Sequence, residues 1–332
     1  VVLDTAALLA ATRHNFREAL CRPESGFARA TDACVKGVGF LEADISSSDS
    51  SAAAAASAFR ALAAATPDLA APMNDEWKPT IEALVRGVAA HGESARSGAG
   101  DNCDAQSRRE AAAMATVAVA SLLMPKRWVY GAPHAPPAPW RASLLAAGLV
   151  KALCETTGAW ADAGIMNRGL AAVAQTPIGG VGWNGRGGPE HAWCAVERLV
   201  VPGETPCLGT EDAAALTRAA LAAVALVAPP STRREQVVSS ILAPSESRSQ
   251  GAPPPLVAGA GAGARDSVAE AAASAAGRVL CALLECDATR AVATRALEET
   301  RNLLGGDEWT MCVGRHLYLG VGATPAKACL AA

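Results

Sequence analysis

A chain of 332 residues is long enough for one large domain, two ordinary ones or an elongated array, so core size sets no limit on the fold. Half of the residues are hydrophobic but only 4% are aromatic, and alanine carries much of the difference; this favours helices packed with thin seams and excludes a β-sandwich or barrel, which draws on Val, Ile, Tyr and Phe. A formal net charge of −3 leaves no excess cation for a phosphate backbone, which disfavours nucleic acid as a partner, and no uncharged apolar run approaches the ~20 residues of a membrane span.

The chain then reads as helix after helix. Leu3 to Leu20 and Phe27 to Ala43 form the first two, separated by Pro23 and Gly26. A serine tract, Ser46 to Ser51, caps the alanine run Ala52 to Ala65. Asn74-Asp75-Glu76-Trp77 opens a helix whose buried face is Ile81, Leu84, Val85 and Val88, closed by His91-Gly92, with Glu93 to Asn102 as an exposed loop. Asp104 opens another helix that runs through Val117, Val119, Leu122 and Leu123. That helix ends at Pro125, and the segment from Val129 to Pro137 is too rich in proline for helix or central strand.

Pro139 to Gln175 is the stretch on which the architecture turns. Trp140, Leu144, Leu145, Leu149 and Leu153 share one helical stripe, and Ile165, Met166, Leu170, Val173 and Ala174 share another. Glu155-Thr156-Thr157-Gly158 between them predicts a tight break, with Gly158 in the left-handed conformation. Two helices with facing stripes bury one side each and need further neighbours.

After the irregular glycine-rich run from Ile178 to Gly188, His191 to Val200 fits helix or strand equally. Asp212 to Ala228 and Arg233 to Leu242 are helical. Pro244 to Ala264 is rich in Ser, Pro and Gly and marks an internal boundary. The expected organisation is therefore a helical array over 1–243, a flexible linker over 244–266 and a helical segment over 267–332. In the last, Ser267 to Glu285 and Ala288 to Leu304 pair as a hairpin, and Trp309 to Leu319 is a final amphipathic element.

Three segments place an aspartate shortly before arginine on an alanine-rich stripe: Asp104 with Arg108 and Arg109, Asp162 with Arg168, and Asp287 with Arg290. The pattern resembles the second helix of HEAT and armadillo-type repeats. The resemblance implies an irregular α-solenoid of stacked hairpins, in which such acid–arginine pairs tie neighbouring hairpins together. The spacing of the segments is uneven, so a compact multi-helix bundle is the alternative within the same all-α class.

Motifs that carry chemistry have bland competitors here. Gly180 to Gly185 matches GxGxxG but is flanked by Pro177 and Pro189, not by a strand and a helix; Gly259 to Ala264 precedes a helix but follows only three strand-like residues. His191 with Cys194 and Cys312 with His316 have helical spacing for a tetrahedral zinc site, yet lone cysteines on alanine-rich helices more often pack as small apolar residues. No GxSxG elbow, Walker GK[ST] or HExxH occurs. These residues therefore predict no catalytic, cofactor or metal site.

One patch stands out for partner binding: Trp183, Arg186, His191 and Trp193, with glycines around them, are of the types that anchor interfaces, although the stronger competing reading has both tryptophans cap the core beneath an irregular loop. The expected function is a noncatalytic scaffold or structural subunit holding other proteins in a larger complex. An all-helical enzyme or cofactor-binding protein with a pocket near the glycine loops is the second reading, and a helical-repeat RNA binder the third. Ten cysteines without close pairs suggest an intracellular, reducing location, in the cytoplasm or an organelle interior. The first residues carry neither a basic leader nor an initiator methionine, so a removed targeting segment or a longer chain is expected.

Overall fold

The computed structural model describes residues 2–40, 49–66, 69, 75–97, 103–124, 140–161, 189–200, 208–226 and 262–304. Among them all regular structure is helical: twelve α-helices and two short 3-10 turns, with no strand. The helices are α1 (Val2–Thr12), α2 (His14–Leu20), α3 (Phe27–Val35), α4 (Asp49–Ala65), α5 (Lys78–Ser97), α6 (Cys103–Leu122), α7 (Arg141–Ala146), α8 (Leu149–Ala161), α9 (Pro189–Leu199), α10 (Thr210–Leu226), α11 (Ala262–Glu285) and α12 (Asp287–Leu304). The all-α expectation holds.

The longer helices alternate between two rows. In the first, α1, α4, α6, α9 and α11 each pack on the next; in the second, α3, α5, α8, α10 and α12 do the same. Across the rows α3 meets α4, α5 meets α6, α8 meets α9, and α11 meets both α10 and α12. The short helices are accessory: α2 leans on α1 and α4, and α7 on α5 and α8.

Small side chains make this packing possible. Every residue from Ala111 to Ala120 of α6 is buried, most of them alanine, so its neighbours approach closely on several sides. On α5 the approach is closer still. A Cβ at Gly87 would lie 2.5 Å from the Ala115 Cβ of α6, and one at Gly92 would lie 2.7 Å from the Thr156 Cα of α8. Larger groups fill the wider gaps: Trp77 stands edge-on to Phe27 at 6.0 Å and to Trp140 at 5.0 Å, and Phe40 stacks on Phe59 at 6.4 Å.

Several boundaries differ from expectation, each for a local reason. Leu3 to Leu20 is two helices, broken where Arg13 is extended (φ −129°, ψ 104°). Phe27 starts a helix that stops at Val35, because Lys36 is extended and Gly37 takes φ +74°. Helix α5 does not close at His91-Gly92 but runs on to Ser97, so Gly92 serves close contact with α8 and not termination. The break in the central stretch lies at Gly148 (φ +89°), ten residues before the expected Gly158.

Helix α8 passes straight through the expected turn because its threonines need no loop. Thr157 donates to Leu153 O at 2.7 Å, and Thr156 shares its proton between Ala152 O at 2.8 Å and Val88 O of α5 at 2.6 Å. Segment 189–200 resolves as helix, with Pro189 at its first position, where the missing N–H costs nothing. The second helix of the central hairpin, Arg233 to Leu242, residues 244–261 of the expected linker and Trp309 to Leu319 lie outside the described residues.

Candidate functional site

The expected partner patch falls partly on α9. Trp183 and Arg186 lie outside the described residues; His191 is half-buried at the start of α9, and Trp193 is fully buried. Trp193 therefore fills the core, and its indole N–H meets no acceptor among the described residues.

Around His191 the side chains Glu190, Cys194, Glu197 and Arg198 line successive turns of α9, and Arg278 reaches them from α11. Glu190 Oε1 lies 3.5 Å from His191 Nε2, too far for a good hydrogen bond. Burial, reinforced by the Arg198 charge, pushes the imidazole down to about 4, so His191 is neutral at neutral pH. Burial likewise raises the Cys194 thiol against the pull of Arg198, with Glu197 adding to the rise. A protonated thiol beside a neutral imidazole is not an activated nucleophile.

The charged groups of α9 work as ties between helices. Arg278 holds Glu197 at two points, Nε to Oε1 at 2.6 Å and Nη2 to Oε2 at 2.9 Å, while Arg198 donates to Ala120 O near the end of α6. Arg141 of α7 donates to Leu199 O at 3.0 Å. At the other end of the row, Arg60 of α4 donates to Asp4 of α1 at 2.8 Å and pairs with Glu110 of α6. Arginine thus joins successive members of the first row.

These are not the pairs expected from the repeat pattern. Asp162 and Arg168 lie outside the described residues. Arg290 pairs with Asp287 inside α12 at 2.7 Å and caps α11, donating to Leu284 O and Glu285 O, both at 2.9 Å. A usable signal was present for Arg60, the only charged residue in the run from Ser50 to Ala65. For Glu197 and Arg278, 81 residues apart, pattern gave none.

A second polar cluster lies deep between α5, α6 and α8. The Thr116 hydroxyl lies 3.0 Å from His91 Nδ1 and 3.2 Å from Ala112 O, so it bridges the ring to the backbone of its own helix. The ring stands edge-on to Trp160 at 5.2 Å. The cluster is enclosed and joins helices without offering a reactive atom to solvent.

For the zinc reading, Cys312 and His316 lie outside the described residues, and no group of three or more His, Cys, Asp or Glu side chains among those described could hold a metal ion. Residues 180–185 also lie outside them, and from Ala262 the second glycine run belongs to α11. No described helix is long and apolar enough to cross a membrane. No family model, curated protein or solved structure matches the chain.

Proposed function

We propose that the chain is a noncatalytic scaffold or structural subunit, an irregular α-solenoid of stacked hairpins that holds other proteins in a larger assembly. The observation that carries this reading is the mixed charge exposed on helices of the second row. Helices α5, α8 and α10 each expose acid and base together: Glu82 with Arg86, Lys151 with Glu155, Glu211 with Arg218. Such a balance of exposed charge complements a mixed-charge protein surface better than a polyanion. The alternation of helices between two rows supports the solenoid over the bundle, since contacts stay between near neighbours. Trp183 and Arg186, just before α9, and His191 within it are the proposed contact patch for a partner.

Small-angle scattering tests the shape: a compact chain of this length has a radius of gyration of about 20 Å, and a solenoid exceeds it clearly. Thermal melting across a panel of nucleotides, metals and common cofactors tests the function. A scaffold melts at one temperature throughout; a ligand that raises it by several degrees and is turned over by the purified chain overturns the reading.

A further inference from the structure

Arg60, Arg198 and Arg278 serve as ties between helices, but the cations around α3 have no such duty. The side chains of Arg13, Arg22, Arg29 and Lys36 are exposed and make no hydrogen bond or ion pair among the described residues. The exposed acids of this stretch are Glu18 and Glu24, and Glu18 lies 3.7 Å from His14. Asp32 is half-buried, with Oδ1 closed off from solvent. Helix α3 concentrates the imbalance. Its exposed residues are Arg29, Ala30 and Ala33, continued by Lys36 at the C-cap, while Phe27, Thr31 and Val35 are buried. Arg29, Ala33 and Lys36 recur at steps of four and three and so share one stripe. Helix stability does not account for Arg29. It stands in the first turn, where a cation opposes the helix dipole, and α1, α9, α10 and α12 carry acids at that place. Nor is the stripe a seam for a further helix, since stacking there would strip water from two cations with no carboxylate to meet them.

We propose that the exposed stripe of α3 docks an acidic segment of another protein, whose carboxylates meet Arg29 and Lys36. Arg22, at the N-cap of the turn Pro23–Ser25 that leads into the helix, extends the positive field. The inference goes beyond the scaffold reading and does not rest on it: the segment docks here whether the chain is a scaffold or an enzyme, and the α9 patch takes no part. Arg29 and Lys36 stand about 10 Å apart along the helix, the span of carboxylates three residues apart in an extended chain. Ala30 and Ala33 between them raise no long side chain, so the segment lies close to the helix. A nucleic acid fits this surface less well. Glu18 and Glu24 interrupt the cations and repel a continuous phosphate backbone, and Phe27, the aromatic ring of α3, is buried and gives no base a stacking platform.

Fluorescence anisotropy of the full chain with a labelled Glu-Ser-Gly repeat peptide of about 12 residues tests this, starting at about 20 mM salt. The expected result is saturable binding that weakens about tenfold when salt rises to about 200 mM. Arg29→Glu with Lys36→Glu weakens it at least about tenfold, with the helical circular dichroism unchanged. Should that pair lower the helicity, Arg29→Gln with Lys36→Gln is read instead and weakens binding about threefold. Arg218→Glu with Arg301→Glu makes the same change in net charge at exposed cations of α10 and α12 and leaves the affinity within about twofold. Three results overturn the proposal: no saturable binding, an equal loss in the Arg218 and Arg301 variant, or displacement of the peptide by oligouridylate of the same length at lower concentration than by unlabelled peptide.

Discussion

Arg278 grips Glu197 along one edge of its guanidinium, Nε to one carboxylate oxygen at 2.6 Å and Nη2 to the other at 2.9 Å, and so fixes α11 to α9. The hydrogen bonds to Glu197 raise the already high pKa of Arg278 despite its partial burial. Both side chains are partly exposed, which limits their contribution. R278K keeps the charge but loses the fork, and should cost about 0.5–1 kcal/mol in urea unfolding. A double-mutant cycle with E197Q should return a coupling of similar size; zero coupling would show the pair to be incidental.

Gly92 makes the sharpest packing prediction. On an exposed helix face, alanine in place of glycine stabilises by about 1 kcal/mol. Here the new methyl would meet the backbone of Thr156, which is not a flexible side chain that can move aside. G92A should therefore lower stability by about 1–3 kcal/mol in chemical unfolding. A stabilised variant would mean that α5 and α8 are further apart than described.

Trp193 separates a core role from a surface one. Because its indole N–H has no acceptor among the described residues, W193F loses little beyond ring size and should cost about 1 kcal/mol, whereas W193A should cost about 3–5 kcal/mol. If alanine were tolerated while partner binding was lost, Trp193 would be an exposed anchor.

His191 gives the chain a pH dependence of known sign. Its folded pKa is lowered to about 4 from 6.5, chiefly by burial, so between those values the unfolded state binds a proton that the folded state excludes. Stability contributed by the neutral ring is complete above pH 6.5 and declines as pH falls towards 4. Relative to H191Q, the wild type should lose about 2 kcal/mol between pH 7 and 5, measured by urea unfolding. Parallel curves for the two proteins would remove the buried-neutral assignment.

The helical class was legible because alanine content and apolar stripes act locally, and α4, α6, α11 and α12 appear close to where those stripes place them. What the pattern misjudged was the meaning of glycine and threonine. Gly92, Gly148 and Gly158 look alike in sequence. Only the neighbour at Gly92 and the positive φ at Gly148 separate a contact from a break, and Gly158 is neither. Thr156 and Thr157 look like turn residues until α8 supplies carbonyls for their hydroxyls. Arg60 stood out as the lone charge of its run, but the partners of the arginine ties were hidden because they come from distant turns of the chain: Arg60 reaches back 56 residues to Asp4. For the expected patch, sequence could not separate a tryptophan facing the core from one facing a partner; Trp193 faces the core.

The most direct test of the scaffold reading is the native mass of the protein isolated under gentle conditions from its own cells. The account predicts a defined species well above twice 33.5 kDa, containing other polypeptides at fixed stoichiometry. Recovery of the chain alone, or only with copies of itself, would contradict it.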